Sequence, residues 1–194
     1  MIKIRKIKAS INDKILFSGE DLLFKDGCKY ILTGKNGSGK TSFLNSLIGW
    51  SSFVDIDYVN NSEITYQVQN SYFYKNTPRD NFRLLSINPN KIRGDLEILG
   101  IESLLDKHID KLSGGERQKF IFLRALHSAK ETFLLDEPFS QMDDGSKKIA
   151  NNILDKWLKE SPKRMIIMVS HDEISQNTYD YHVRIEDNKI KEIL

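Results

Sequence analysis

The chain has 194 residues, with 29 lysines and arginines, 27 aspartates and glutamates, and a single cysteine. This length suits one compact unit, and a formal net charge of +2 gives no strong attraction to nucleic acid or to an anionic membrane. The lone Cys28 excludes an internal disulfide framework and suits a reducing compartment. No apolar run approaches the roughly 18 residues of a membrane span, and residues 1–8 lack the apolar region of a signal peptide. We therefore expect a soluble, cytoplasmic protein.

The N-terminal part of the chain predicts short antiparallel strands. Residues 2–9, 14–17 and 21–24 are β-like, and turn signals at Asn12-Asp13 and Ser18-Gly19 separate them. The Asp26-Gly27 pair then turns the chain into a buried strand at residues 30–33. From that point the pattern changes to strand, loop and helix, which predicts an α/β protein with an antiparallel lead-in.

The next segment, residues 34–41, reads Gly-Lys-Asn-Gly-Ser-Gly-Lys-Thr and fits the phosphate-binding pattern G-x-x-x-x-G-K-[ST] without a mismatch. Glycines let backbone N–H groups close round phosphates, the lysine reaches the β and γ phosphates, and the hydroxyl meets Mg²⁺. An ordinary glycine-rich turn is the competing interpretation. Apolar residues follow at helical spacing up to Gly49, a candidate helix-ending glycine. The candidate nucleotide-binding residues are Gly34, Asn36, Gly37, Ser38, Gly39, Lys40, Thr41 and Ser42.

Further along, residues 53–58 and 63–68 predict two more strands, and residues of about 70–112 predict a small helical lobe. Ser113-Gly114-Gly115 then precedes a predicted helix. Residues 132–135 form a continuous apolar strand that ends in Asp136-Glu137. A carboxylate pair at the end of a parallel strand would bring Mg²⁺ and a water to the phosphates.

The last part of the chain continues the same alternation. Residues 149–158 keep a helical period, and residues 165–169 predict a buried strand that runs towards His171. Residues 181–185 and 189–194 flank Asp187-Asn188 and predict a terminal hairpin.

Taken in this order, the motifs resemble those of the ATP-binding cassette (ABC) ATPases over nearly the whole chain. Residues 34–41 look like the Walker A motif, residues 112–118 like the signature that separates this family from other P-loop NTPases, and residues 132–137 like Walker B with its adjoining glutamate. Residues 140–143, Ser-Gln-Met-Asp, stand where the family has its D-loop, usually Ser-Ala-Leu-Asp. Gln69 matches the Q-loop glutamine because Thr77 and Asn81 follow it at the family spacing, and Gln67 is the rival for that assignment.

The resemblance implies a P-loop NTPase fold of the ABC type, with a mixed sheet, flanking helices and a short helical subdomain. It implies a single domain over residues 1–194, in which residues 1–69 and 113–194 form the catalytic core and residues of about 70–112 form the helical subdomain. The implied cofactors are ATP and Mg²⁺.

The resemblance also implies a role for each matching residue. Lys40 and the loop amides hold the β and γ phosphates, while Thr41, Gln69 and Asp136 place Mg²⁺. The catalytic residues are Glu137, as the general base that orients the attacking water, together with Gln69 and the switch histidine, His171. The signature residues close on the γ-phosphate from a second subunit; they are Ser113, Gly114 and Gly115. Because one chain cannot complete this composite site, we expect a homodimer.

The resemblance favours the ATPase subunit of a membrane transporter. Separate transmembrane permease subunits would dock near Gln69 and the helical lobe, and would hold the chain on the cytoplasmic face of the membrane. Residues 77–81 look more like exporter cassettes, and we expect no nucleic-acid partner. One alternative is a soluble ABC ATPase that serves cluster assembly, DNA maintenance or translation. Another is a regulatory module without turnover, which the presence of Lys40, Asp136, Glu137 and His171 disfavours.

Two departures from the family pattern bear on function. The family usually has an aromatic residue before the second strand that stacks on adenine, but residues 9–12 offer none, and Phe17 and Phe24 lie too late. We therefore expect weak discrimination between ATP and GTP. The segment between Gln69 and Ser113 is also short for the family, which predicts a trimmed helical lobe and a shallow docking groove.

Overall fold

The computed structural model describes residues 1–12, 14–170 and 179–193. Its strands are β1 (Ile2–Ile11), β2 (Lys14–Phe24), β3 (Lys29–Gly34), β4 (Val54–Asn60), β5 (Ile64–Gln67), β6 (Thr132–Asp136), β7 (Met165–Val169), β8 (Tyr181–Glu186) and β9 (Lys189–Ile193). Its α-helices are α1 (Lys40–Ser46), α2 (Pro78–Leu84), α3 (Arg93–Ile98), α4 (Gly114–Ser128) and α5 (Asp144–Lys159). Short 3₁₀ helices occupy Pro89–Ile92, Glu102–Leu104 and Ile109–Lys111.

All of these strands join one sheet in the order β4-β1-β2-β9-β8-β3-β7-β6-β5. The strands β4, β1 and β2 are antiparallel, whereas β8, β3, β7, β6 and β5 run parallel. The strand β9 joins the two parts, because it pairs antiparallel with β8 and parallel with β2 at Ser18 and Lys189. The predicted α/β class, with a mixed sheet and an antiparallel lead-in, is confirmed.

The predicted turn at Ser18-Gly19 is wrong, because β2 continues through it from Lys14 to Phe24. Gly19 pairs with Ile7 of β1. A Cβ atom at Gly19 would collide with Cγ2 of Ile190 on β9. The glycine therefore serves the close approach of a third strand rather than a turn, and residues 14–17 and 21–24 belong to one strand.

The two faces of the parallel strands pack against different partners. Phe133, Leu135 and Ile166 face a cluster that contains α4, α5 and the helical segment at residues 78–111. Leu134 and Ile167 face the opposite cluster, which contains α1 and the antiparallel strands. Both β6 and β7 are buried along their whole length, as expected of parallel strands covered on both sides.

The segment between β5 and α4 is helical, as predicted for the lobe. The Thr77 hydroxyl caps α2 by accepting a hydrogen bond from the Asp80 N–H at 3.2 Å. The Asn81 side chain accepts from the Tyr74 N–H at 2.7 Å and from Arg124 Nη1 at 3.3 Å. These bonds tie residues 74–81 to α4. Among the described residues, no helix combines the length and hydropathy that a membrane span needs.

Candidate active site

The sheet order brings the predicted phosphate loop and the predicted carboxylates to one edge. The strand β7 lies between β3 and β6, and its Val169 pairs with Leu32 on one side and with Asp136 on the other. All three strands are parallel, so the loop after β3 and the Asp136-Glu137 pair after β6 leave the sheet at the same edge. Ligand sites of open α/β sheets form at this edge.

Backbone geometry explains the glycines of the loop. Gly37 has φ 74° and Gly39 has φ 100°, a region that L side chains rarely adopt. A Cβ atom on Gly39 would also lie 2.6 Å from Cδ1 of Phe17, and one on Gly34 would lie 2.6 Å from the Ile185 carbonyl oxygen. Only glycine therefore allows β2 and β8 to pack this closely against the loop.

Lys40, the first residue of α1, is buried and points back into the loop. Its Nζ donates to the carbonyl oxygens of Gly34 at 2.9 Å and Lys35 at 3.1 Å. Burial lowers the pKa of Lys40, and the nearby carboxylates Glu137 and Asp136 raise it. The loop thus holds a cation on the side that faces the carboxylate pair.

Asp136 is only 1% exposed, and its two carboxylate oxygens have different surroundings. Oδ2 accepts a hydrogen bond from the Tyr66 hydroxyl at 3.3 Å, while Oδ1 has no hydrogen-bond partner among the described residues. Burial raises the pKa of this carboxyl, while the nearby Thr41 hydroxyl and the hydrogen bond from Tyr66 act in the opposite direction. Sequence reasoning did not identify Tyr66, whose only signal was a polar-tipped aromatic residue near the end of a strand.

This environment fits a magnesium ion. Mg²⁺ prefers oxygen ligands, takes one or two carboxylates from a protein and fills the remaining positions with phosphate oxygens and water. The buried Oδ1 of Asp136 and the adjacent Thr41 hydroxyl supply such oxygens. In the described part of the chain, no group of three or more His, Cys, Asp or Glu side chains could hold a metal on its own. Phosphate oxygens and water would complete the coordination shell.

Glu137 has a strained backbone and a defined carboxylate position. Its φ is 48°, in the left-handed region that non-glycine residues rarely occupy. Its N–H donates to the Val169 carbonyl at 3.0 Å, and its Oε2 accepts from Gln69 Nε2 at 3.0 Å. Such strain persists only where the surroundings hold a residue in place, and it is common at active sites.

The same contact separates the two glutamines that competed for the Q-loop assignment. Gln69 reaches Glu137, whereas Gln67 is 2% exposed and both of its side-chain polar atoms lack partners among the described residues. Gln69 is therefore the glutamine that belongs to the cluster of Lys40, Thr41, Asp136 and Glu137.

The signature residues lie at the start of α4, and their hydrogen bonds are local. The Ser113 hydroxyl accepts from the Glu116 N–H at 3.2 Å, and the Glu116 carboxylate accepts from the Ser113 N–H at 2.7 Å. This reciprocal capping box fixes the N-terminus of the helix. Gly114 and Gly115 pack against the D-loop, where a Cβ atom on Gly114 would lie 2.5 Å from Gln141 Oε1.

Three other predicted site residues differ in how the structure places them. Asn36 is exposed at the tip of the phosphate loop, and Ser42 is half-buried in the first turn of α1. His171 lies outside the described residues, so its predicted contact with the γ-phosphate stays a prediction.

A cavity of about 360 Å³ opens beside the phosphate loop. Its lining contains no aromatic side chain and consists of Lys14, Ile15, Leu16, Lys35, Asn36, Gly37, Ser38, Ile185, Glu186, Asp187 and Asn188. Stacking of a base on an aromatic ring is worth about 1–3 kcal/mol in nucleic-acid binding. The lining of this cavity offers no ring for such stacking.

Comparisons with known proteins show which family and fold this chain is similar to. Residues 17–140 match the family described as "ABC transporter". The "Zinc import ATP-binding protein ZnuC" of Buchnera aphidicola subsp. Baizongia pistaciae (strain Bp) is 32% identical over 177 residues, which cover 88% of this chain and 74% of the relative. A "Structure of ATP binding subunit of ABC transporter" superposes with a TM-score of 0.81 at 15% identity over 100% of this chain and 89% of that one. An "RNase-L Inhibitor" superposes with a TM-score of 0.84 at 21% identity over 98% of this chain and 39% of that one.

At these identities the solved structures show the fold alone, whereas the family match spans well over half of the chain. The match covers the phosphate loop, Gln69, the signature and the Asp136-Glu137 pair, which are the groups that the structure places at the sheet edge and at the start of α4. This chain therefore belongs to the ABC transporter family, as one of its ATP-binding, ATP-hydrolysing subunits.

Proposed function

We propose that the chain drives a membrane transporter by Mg²⁺-dependent hydrolysis of ATP between two copies of itself. The observation that carries the proposal is the cluster in which Lys40, Asp136, Glu137 and Gln69 meet at one sheet edge. The name of the zinc-import relative supports a role in transport. We also propose the division into a catalytic core, residues 1–69 and 113–194, and a helical subdomain of about 70–112.

In the proposed reaction, each residue acts where its geometry places it. The Lys40 ammonium moves from the carbonyls of its own loop to the β and γ phosphates, which are stronger acceptors. Thr41, Asp136 and Gln69 would hold Mg²⁺, and the bound ion would neutralise charge on the phosphate oxygens. Glu137 accepts a proton from the attacking water. The hydrogen bond of 3.0 Å from Gln69 Nε2 to Glu137 Oε2 therefore has to break, or the carboxylate has to accept from Gln69 and the water together.

The second half of the proposed site comes from another copy of the chain. Ser113, Gly114 and Gly115 present a helix start to solvent, and such a start favours anions. In this arrangement the signature residues of one copy approach the γ-phosphate bound by the other. His171 adds a contact to the same phosphate.

The proposed permease contact lies on the segment after Gln69. Tyr72 is 74% exposed and Tyr74 is 64% exposed, whereas Phe73 packs against the core beside Arg124. The Arg124 guanidinium lies over the face of the Tyr74 ring, 4.8 Å from its centre, and so supports the ring. Exposed aromatic residues on a fixed support are favoured anchors at protein interfaces. This contact would hold the chain on the cytoplasmic face of the membrane.

The direction of transport has conflicting support. Residues 77–81 resemble exporter cassettes, whereas the zinc relative is named for import. The proposal therefore covers transport in either direction.

The test of the proposed contact expresses Tyr74→Glu and the control Val59→Glu in the organism from which the chain comes. The amount of each variant in the membrane fraction is then measured. Val59 is 40% exposed on β4, at the opposite end of the sheet from β5. We expect Tyr74→Glu to leave the membrane fraction while it still binds ATP, because a charge would lose the apolar contact. We expect Val59→Glu to stay with the membrane. Membrane association of Tyr74→Glu equal to that of the natural chain would contradict docking at this surface.

A second candidate function is that of a soluble ABC ATPase in an assembly or maintenance process. The "RNase-L Inhibitor" shows that this fold also occurs in a protein whose name contains no transport function, which is the ground for this candidate. The same fractionation separates the two functions. A natural chain that is absent from the membrane fraction would favour the soluble role.

A further inference from the structure

The cavity beside the phosphate loop is built from three segments that are distant in sequence: residues 14–16, 35–38 and 185–188. Phosphates held by the loop would leave the rest of a nucleotide at this side of the sheet, next to residues 35–38. The contribution of residues 185–188, at the turn between β8 and β9, has no counterpart in the sequence motifs. The inference drawn from it rests on the proposed function only in assuming that a nucleoside triphosphate binds at the loop.

The turn between β8 and β9 is held rigidly at the cavity. β8 runs beside β3, where Ile185 pairs with Gly34. On the other side, the Ser18 N–H of β2 donates to the Asn188 carbonyl at 2.9 Å. Asp187 and Asn188 both adopt left-handed backbone angles, with φ 49° and 59°. The backbone of the turn is therefore held on both sides, next to the phosphate loop.

The cavity offers a purine base little apolar surface and several polar groups. Ile15, which is 40% exposed, supplies an aliphatic wall. Of the two carboxylates in the lining, Glu186 lies 3.4 Å from Arg184, which offsets its charge. Among the described residues, no cation lies within ion-pair distance of Asp187. Asp187 is thus the carboxylate most available to a ligand.

A carboxylate is an acceptor only, so it favours a base edge that carries donors. Guanine carries the N1–H and the N2 amino group side by side, whereas adenine carries a single amino group at N6. We propose that Asp187 reads the base of the bound nucleotide and shifts the preference of this site towards guanosine triphosphate. GTP then competes with ATP in this chain, within about tenfold in affinity.

The test measures the affinities of the full chain for ATP, GTP and inosine triphosphate, each with Mg²⁺, by calorimetry. Inosine has the N1–H of guanine without its N2 amino group. The test variant is Asp187→Asn, because asparagine tolerates the left-handed backbone and pairs well with adenine. We expect the ratio of GTP to ATP affinity to fall at least fivefold, and the ratio of inosine triphosphate to ATP to fall less.

Two further variants keep the test decisive. Asp187→Gly removes the side chain without backbone strain, and we expect it to lower the GTP to ATP ratio at least threefold. Asp55→Asn removes a carboxylate from an exposed position on β4, and we expect it to leave the ratio unchanged. Equal tightening of all three nucleotides in both Asp187 variants would show that the carboxylate acts only through its charge, and would overturn the inference.

An unchanged ratio in both Asp187 variants would overturn the inference and leave the proposed function intact, because the triphosphates would still bind. A natural chain that binds none of the three triphosphates would overturn both.

Discussion

The Tyr66 hydroxyl is one of the groups that lower the pKa of Asp136, the carboxylate proposed to hold the metal. The hydroxyl donates to Asp136 Oδ2, while burial of Asp136 acts in the opposite direction and raises the pKa of the carboxyl. Mg²⁺ binds the ionised form, so metal affinity is complete above the raised pKa and is lost as the pH falls through it. The tyrosine therefore widens the pH range in which the site can hold Mg²⁺.

We predict that Tyr66→Phe loses Mg²⁺-dependent ATP hydrolysis at a higher pH than the natural chain. Without the hydroxyl, the ionised carboxylate has one hydrogen bond fewer, and the pKa of Asp136 rises further. The measurement is the ATPase rate from pH 5 to pH 8 at several Mg²⁺ concentrations. Tyr58→Phe is the control, because its hydroxyl donates to the Leu47 carbonyl at 3.1 Å, away from Asp136. If the ATPase rate of the two variants fell at the same pH on acidification, this role for Tyr66 would be refuted.

The sequence alone predicted those site residues that belong to short contiguous motifs. The loop glycines, Lys40, Thr41 and the Asp136-Glu137 pair belong to contiguous patterns. Tyr66, and Asp187 in the role proposed above, were not predicted from the sequence, because these roles depend on the register of strands that are distant in sequence. The alternation of side chains along a strand can place Tyr66 on one face of the sheet. It cannot show which side chain of the neighbouring strand lies beside Tyr66.

At the scale of the element, β2 shows how a strand can shape the phosphate loop. The Phe17 ring lies where a side chain on Gly39 would have to go, so the loop and the strand are packed as one unit. The turn predicted at Ser18-Gly19 failed for a related reason. In the sequence, a glycine that is needed for the close approach of β9 looks the same as a glycine that forms a turn.

We predict that Gly39→Ala lowers the free energy of unfolding by about 2–4 kcal/mol, through left-handed backbone strain and overlap with Phe17. Gly94→Ala is the matched control, since a Cβ atom there meets no atom within 4 Å and the residue lies in α3. Alanine in a helix is favoured over glycine, so this control should gain about 0.5–1 kcal/mol. Urea unfolding followed by tryptophan fluorescence measures both. Equal stabilities would mean that the loop tolerates a side chain at residue 39.

At the scale of the whole molecule, the proposed composite site divides one copy of the chain into two half-sites. The cluster around Lys40 and Asp136 lies at the end of the parallel strands, and the capped start of α4 carries the signature. Within the described residues, the hydrogen bonds of Ser113 are made with Glu116 and Arg117 of the same helix. A second copy would bring the two halves together.

We predict that Glu137→Gln accumulates as a dimer when ATP and Mg²⁺ are present. The amide has nearly the shape of the carboxylate, but it cannot accept the proton from water, so the nucleotide stays uncleaved. In the same background, Ser113→Arg should prevent the dimer, because a bulky cation fills the contact. Size exclusion with light scattering, with and without ATP, gives the result.

Ser113→Arg also removes a helix cap, which costs about 1 kcal/mol. Ser113→Asp keeps the cap but sets a negative charge against the γ-phosphate, so it should also stay monomeric. Ser52→Arg, at an exposed position outside both half-sites, should dimerise like the parent. A Glu137→Gln chain that is monomeric at high ATP would exclude closure between two free copies.

The order of the strands in the sheet has a consequence for the nascent chain. Ser18 of β2 and Asn188, just before β9, are in contact although they are 170 residues apart. At a synthesis rate of about 5–20 residues per second, β2 leaves the ribosome about 10–30 s before its neighbour exists. During that time the edge of β2 is open and could pair with another chain. The exposed charges of Lys14 and Glu20 on this strand oppose such pairing until β9 has been synthesised and covers the edge.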